Sequence, residues 1–204
     1  LIDPRYSSTA LLVYDILIKM NVEIDHDIAL NLFMGIYSDT GGFRYGENGA
    51  RAIEIAYKLV SIAPDYQKTI SIMENSNTKE SLIFEGLLMN SVKTYFDGKF
   101  AIAYISNEDL VKNNIKDDDM FTGHITNKLK SIVGVEISAA MIEREPNLVK
   151  ASFRTRDSER FDVSKLATAL GGGGHKVAAG VNIKLNIKDA LDKVVNTVKE
   201  LYNI

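Results

Sequence analysis

The sequence predicts an α/β chain in two parts: an almost wholly helical section, then an α+β domain over 91–204. Three observations predict it. Up to about position 90, apolar residues recur at the i, i+3, i+4 spacing of one helix face. From Val92 onward, short β-rich runs separated by turn formers take over. The 204 residues suit one to two domains at roughly 150 residues each. With 46% hydrophobic and 25% charged residues, the chain has an ordinary globular composition.

Each element has its own signal. Ser7-Ser8-Thr9 offers capping hydroxyls before Leu11, Leu12, Ile16, Leu17 and Met20, which predicts a first helix. Asp25 or Asp27 caps a second, through Ile28, Leu32, Phe33 and Ile36. Turn formers from Ser38 to Phe43 end it. A third helix runs from about Ala50 to Val60, closed by Pro64, and further helices fit 65–74 and 79–90. Asp97-Gly98 between Val92–Phe96 and Phe100–Ile105 predicts a hairpin. A helix over about 119–132 follows, headed by Asp117-Asp118-Asp119, where carboxylates favour the helix dipole. Strands over 135–143 and 148–154 turn at Glu145-Pro146-Asn147. Asp162 caps a short helix that ends at Gly171–Gly174; a strand over 178–184 and a helix over 187–202 complete the chain. The division is 1–76, a linker helix at 77–90, and 91–204.

Composition excludes several classes. No cysteine means no disulfide, zinc–thiolate site or thiol nucleophile. No apolar run approaches the roughly 18 residues of a spanning helix, so no membrane segment is expected here. The net charge of −3 does not favour a long duplex, and contact with nucleic acid requires a local basic patch. A reducing cytoplasm is the expected location. Leu1-Ile2-Asp3-Pro4 reads as the end of a strand entering a turn, and the chain is expected to be a fragment with residues missing upstream.

The most unusual segment is Gly171-Gly172-Gly173-Gly174-His175. Ordering four glycines costs backbone entropy, and their N–H groups can cradle an anion closely. His175 adds a proton-sensitive donor. The alternative is a flexible turn between helix and strand. Neither the P-loop nor the dinucleotide fingerprint fits, since Lys176 precedes Val177 and no Gly follows at 176 or 177. Upstream, strand alternation puts Lys150, Ser152 and Arg154 on one face, and the planar fork of Arg154 suits a phosphate. The alternative is a solvated edge-strand arginine. Asp25-His26-Asp27 reads as a helix cap, and His124 as a surface or half-buried residue.

Gly-Gly-Gly-His-x-x-Ala-Ala-Gly at 172–180, with Ser-x-Arg at 152–154 and Asp-Val-Ser at 162–164, resembles the DHH-associated C-terminal domain of DHH-family phosphoesterases. Gly35-Ile36-Tyr37-Ser38-Asp39-Thr40-Gly41-Gly42-Phe43 is similar to the last metal-binding motif of the DHH catalytic domain. The resemblance spans essentially the whole chain. It implies the helical remainder of a catalytic domain followed by an α+β substrate-binding domain. It also implies hydrolysis of short oligoribonucleotides or 3′-phosphoadenosine 5′-phosphate, with two Mn²⁺ ions in the complete enzyme. Asp39 would be a metal ligand; Arg154, Gly172, Gly173, Gly174 and His175 would bind the terminal nucleotide. Short single-stranded RNA or a small nucleotide is the implied partner, and homodimers are common in such families.

The family's Asp-x-Asp and Asp-His-His motifs are absent, and Asp39 alone cannot build a six-ligand site. This chain by itself is therefore expected to be inactive, and no catalytic residue is assigned. The alternatives are the catalytic region of a cyclic di-AMP phosphodiesterase and a non-catalytic nucleotide-binding module.

Overall fold

The computed structural model describes every residue except Leu1, Ile2, Pro4, Arg5, Tyr45, Glu47 and Phe121. The strand end read at Leu1–Pro4 therefore lies outside the described residues, Asp3 apart. The chain divides into two compact units, Leu1–Ser76 and Asn77–Ile204, each with its own core.

The first unit holds four helices, α1 (Thr9–Lys19), α2 (His26–Asp39), α3 (Gly49–Ile62) and α4 (Tyr66–Glu74). Ser8 Oγ accepts from the Leu11 amide at 3.2 Å and caps α1. Asp25 Oδ1 accepts from the Ile28 amide at 2.9 Å, so Asp25-His26-Asp27 is the capped start of α2. A Cβ on Gly35 would lie 2.8 Å from the Ala10 Cβ, so glycine lets α1 and α2 approach closely. Leu11, Phe33, Ile36, Ile55 and Leu59 form the centre of this core.

The second unit opens with α5 (Lys79–Asn90), β1 (Lys93–Tyr95), β2 (Phe100–Ile105) and α6 (Asn107–Lys112). Then come a 3₁₀ turn at Asp117–Asp119, α7 (Gly123–Lys130), β3 (Ile137–Glu145) and β4 (Leu148–Thr155). The chain ends with α8 (Val163–Ala169), β5 (Gly173–His175), β6 (Ala178–Ile183) and α9 (Ile187–Tyr202). The six strands form one sheet in the order β1-β2-β3-β4-β6-β5. β2 and β3 are parallel, and the other neighbouring pairs are antiparallel. A parallel step needs a crossover, which α6 and α7 supply.

Three details differ from the sequence reading. The stretch 106–118, assigned no element, contains α6, whose cap is Ser106 Oγ accepting from the Asp109 amide at 3.1 Å. The helix expected over 119–132 begins only at Gly123. Asp117–Asp119 is a separate turn, because the Asp119 carboxylate accepts from Thr78 Oγ1 at 2.6 Å and the Lys116 amide at 2.9 Å. These bonds, the threonine's first, hold the Asp119 carboxyl below its usual pKa and tie the turn to the N-cap of α5. Finally, the glycine run is no loose turn: Gly173–His175 pairs with β6 as the edge strand β5.

Both faces of the sheet bear on the site. One is covered along its length by α8 and α9, with Phe100, Met141, Phe153, Leu166 and Val194 in its core. The other is covered over β2 and β3, where Phe84 and Leu88 of α5 and Ile125 and Leu129 of α7 pack on Ala101 and Ala140. Each such large side chain contributes about 1.5–3 kcal/mol by leaving water. α5 thereby belongs to the second unit's core instead of standing as a spacer. Over β4, β6 and β5 the second face carries small and polar residues instead.

Candidate functional site

Directly paired residues of neighbouring strands point to the same side of a sheet. The register therefore aligns Ser138 of β3, Arg154 of β4, Ala178 of β6 and His175 of β5 in one row. The next row is Ala140, Ser152, Gly180 and Gly173. At β3 this face is closed, since Ser138 Oγ donates to the Thr126 carbonyl of α7 at 2.9 Å and both Ser138 and Ala140 are fully buried. From β4 outward it opens: Arg154, Ser152, Ala178 and Gly180 are half-buried, and Gly173 and His175 are exposed. The result is a shallow floor of Gly, Ala and Ser, with a guanidinium and an imidazole in its first row. Strands stand about 4.8 Å apart, so Arg154 and His175 start from backbones about 10 Å apart.

The four glycines divide the work. Gly171 (φ +93°) caps α8: its amide donates to the Thr168 carbonyl, and that of Gly172 to the Ala167 carbonyl at 2.7 Å. A Cβ on Gly172 would lie 2.3 Å from the Gly180 carbonyl oxygen; one on Gly174, at φ +144°, would lie 2.5 Å from the Ala179 Cα. Those two are required for the edge strand to pair. Gly173 is different, because a Cβ there would meet nothing within 4 Å. The fold itself gives no reason for glycine at 173, and its bare backbone lies on the open face.

Arg154 donates from Nη1 to the Phe153 carbonyl at 2.9 Å and forms no ion pair among the described residues. Burial holds its pKa below the usual value, yet a guanidinium stays cationic at neutral pH. A half-buried, anion-free guanidinium beside exposed backbone is suited to a phosphate.

In the first unit, Asp39 is the exposed last residue of α2. A carboxylate at a helix C-terminus opposes the dipole. The following turn is stiff: Thr40 Oγ1 donates to the Ile36 carbonyl at 2.6 Å and accepts from the Phe43 amide at 3.0 Å. Gly41, Gly42 and Phe43 all take positive φ, at 57°, 70° and 65°. Among the described residues no group of three or more His, Asp or Glu side chains is placed to hold a metal ion. One carboxylate does not satisfy a divalent ion that takes about six oxygen ligands, so these residues do not by themselves fit a two-metal centre.

Other polar side chains near these motifs have structural partners. Tyr37 donates to Glu74 at 2.7 Å and packs edge-on against Phe43, with centroids 6.1 Å apart. Arg44 Nε donates to the Gly41 carbonyl at 2.6 Å, and exposed Lys176 lies 3.4 Å from Glu159. Exposed His124 lies in α7. Sequence reasoning missed Lys130, which ends α7 within range of the charges of Arg154 and Arg156; in sequence it looks like an ordinary cation in a helix's last turn.

Comparison with known proteins gives these features a family. The bifunctional oligoribonuclease and PAP phosphatase NrnA of Thermus thermophilus is 28% identical over 202 residues, covering 98% of this chain and 58% of that protein. The probable NrnA of Streptococcus mutans is 24% identical, covering 89% of this chain and 56% of its own length. The chain thus spans somewhat more than half the length of these relatives. The crystal structure of an exopolyphosphatase-related protein from Bacteroides fragilis superposes with a TM-score of 0.87 at 26% identity, covering 98% of this chain and 58% of that one. The DHHA1 domain model matches residues 97–203. The chain therefore belongs to the DHH phosphoesterase family, with its DHHA1 domain built on the six-stranded sheet of the second unit.

Proposed function

We propose that this chain is the substrate-recognising part of a phosphoesterase acting on short oligoribonucleotides and 3′-phosphoadenosine 5′-phosphate. The observation that carries the reading is the row Arg154–Ala178–His175 on an open face floored by Gly173, Gly180 and Ser152. The activities of the oligoribonuclease and PAP phosphatase relatives favour these substrates over a cyclic dinucleotide.

The residues divide the task by their chemistry. Arg154 grips a phosphate with two parallel N–H donors. Gly173, with no side chain, lets sugar and phosphate approach the strand closely. His175, two strands away, hydrogen-bonds the far end of the same nucleotide and fixes its orientation. Holding the scissile group in one pose is worth a large share of a phosphoryl-transfer barrier. Asp39 supplies one carboxylate to a divalent-metal site, manganese by family resemblance, whose other ligands are not among the described residues.

The test is calorimetric titration of 3′-phosphoadenosine 5′-phosphate into the 204-residue chain, with and without manganese, and with His175→Ala as control. Metal-independent binding that the control loses supports the reading. Absence of binding in both conditions overturns it for this chain.

A further inference from the structure

Beside the open face lies a group of cations that the reading above leaves unused. Lys130, half-buried at the end of α7, lies one helical turn past Thr126, which meets the Ser138 neighbour of Arg154, and within range of the charges of Arg154 and Arg156. Arg156 donates from Nη2 to the Lys130 backbone carbonyl, which brings its guanidinium to the C-terminal end of α7. Lys128, one turn face away, is neutralised by Glu85. Lys130 and Arg156, like Arg154, have no carboxylate partner among the described residues.

This arrangement is costly for the protein alone. Burial first, and then the charges of Arg154 and Arg156, push the Lys130 pKa down. A cation that only completed the helix dipole would point to solvent and avoid two other cations. Clusters of like charge held together without counter-ions are characteristic of sites that receive the opposite charge. α7 packs on the sheet over β3, where Ser138 donates to Thr126, so Lys130 flanks Arg154 on the α7 side. His175 flanks Arg154 on the other, across β6.

We infer that Lys130 and Arg156 form a second phosphate subsite adjoining Arg154, so that the open face selects nucleotides carrying at least two phosphate groups. This rests on the open face being the nucleotide site. The shared chemistry is a second phosphate, either on the same sugar or on the next nucleotide.

The experiment titrates three probes into the full chain in the presence of a chelator, which prevents turnover. They are adenosine 5′-monophosphate, 3′-phosphoadenosine 5′-phosphate and 5′-phosphorylated diadenylate. Lys130→Met is expected to lose at least tenfold more affinity for one or both two-phosphate probes than for the monophosphate. Loss for the bisphosphate places the second phosphate on the same sugar, and loss for the dinucleotide places it on the next residue. Equal losses for all three, or no loss, overturn the subsite. If those results come with binding that His175→Ala abolishes, the open-face reading stands without it; if the wild-type chain binds no probe, both fall. Removing Lys130 relieves like-charge repulsion, so the melting temperature should hold or rise. A fall of several degrees overturns the proposal by showing a structural lysine.

Discussion

Arg154 and His175 lie in one cross-strand row of the sheet, with only Ala178 between them, although 21 positions separate them along the chain. Neither bears on the core: Arg154 is half-buried and His175 exposed. Their alignment puts a guanidinium fork and a histidine at opposite ends of a floor about 10 Å wide.

His175→Ala should therefore weaken nucleotide binding by about tenfold, the loss of one charge-assisted or well-placed hydrogen bond of about 1.4 kcal/mol. The melting temperature should not move, because an exposed edge-strand side chain supports no core. Calorimetry and a thermal melt on the same preparation decide it; a marked drop in stability would show a structural histidine.

The glycines make a sharper contrast. Gly173→Val should fold normally, since a Cβ there meets nothing within 4 Å and β-branched residues suit strands. It should nonetheless abolish binding by filling the open face. Gly172→Val, whose Cβ would sit 2.3 Å from the Gly180 carbonyl oxygen, should cost about 1–3 kcal/mol of stability through forced backbone shifts. Denaturant melts of both variants check this, and equal stability losses would refute the division of roles.

Asp39→Asn keeps the shape of the side chain and removes a charge that opposes the α2 dipole. Stability should hold or improve. In a complete enzyme, metal-dependent turnover should fall by orders of magnitude. Full activity at saturating manganese would remove Asp39 from the ligand set.

The helical unit carries a pH dependence of its own. His26 bonds Asp27 Oδ1 at 3.1 Å and Asp65 Oδ1 at 2.6 Å. The bonds to Asp27 and then Asp65 raise its pKa above 6.5, and the histidine lowers that of Asp65 below 3.8. A raised histidine stabilises fully below its unfolded pKa and loses that contribution as pH rises through the folded value. The depressed aspartate stabilises above its unfolded pKa and loses that contribution as pH falls through its folded value. Both operate between about pH 4 and 6.5. His26→Ala should thus lower the melting temperature more at pH 5.5 than at pH 8.5, modestly, because the pair is exposed and salt-screened. Equal shifts at both pH values would assign the loss to packing.

Much of the fold was legible because its signals are local. The Ser8, Asp25 and Asp162 caps, the Asp97-Gly98 hairpin and the alternation of Val149, Ala151 and Phe153 with Lys150, Ser152 and Arg154 depend on neighbours a few residues away. α6 carried a local signal too, the Ser106–Asp109 cap, in a stretch without apolar periodicity. β5 was not legible: three residues of Gly-Gly-His have poor strand propensity, and pairing with β6 alone makes them a strand.

What the sequence by itself determined is the order of elements other than α6 and β5, the face on which Arg154 lies and the glycine–histidine motif, since propensity, capping and period-two alternation act within a few residues. The tertiary structure decided which residues meet. Register across β4, β6 and β5 aligned Arg154 with His175, and the packing of α7 on β3 brought Lys130 to Arg154. Those relations are set by long-range burial, which no local pattern encodes. The same burial left half of one sheet face bare, and that bare half is the candidate site.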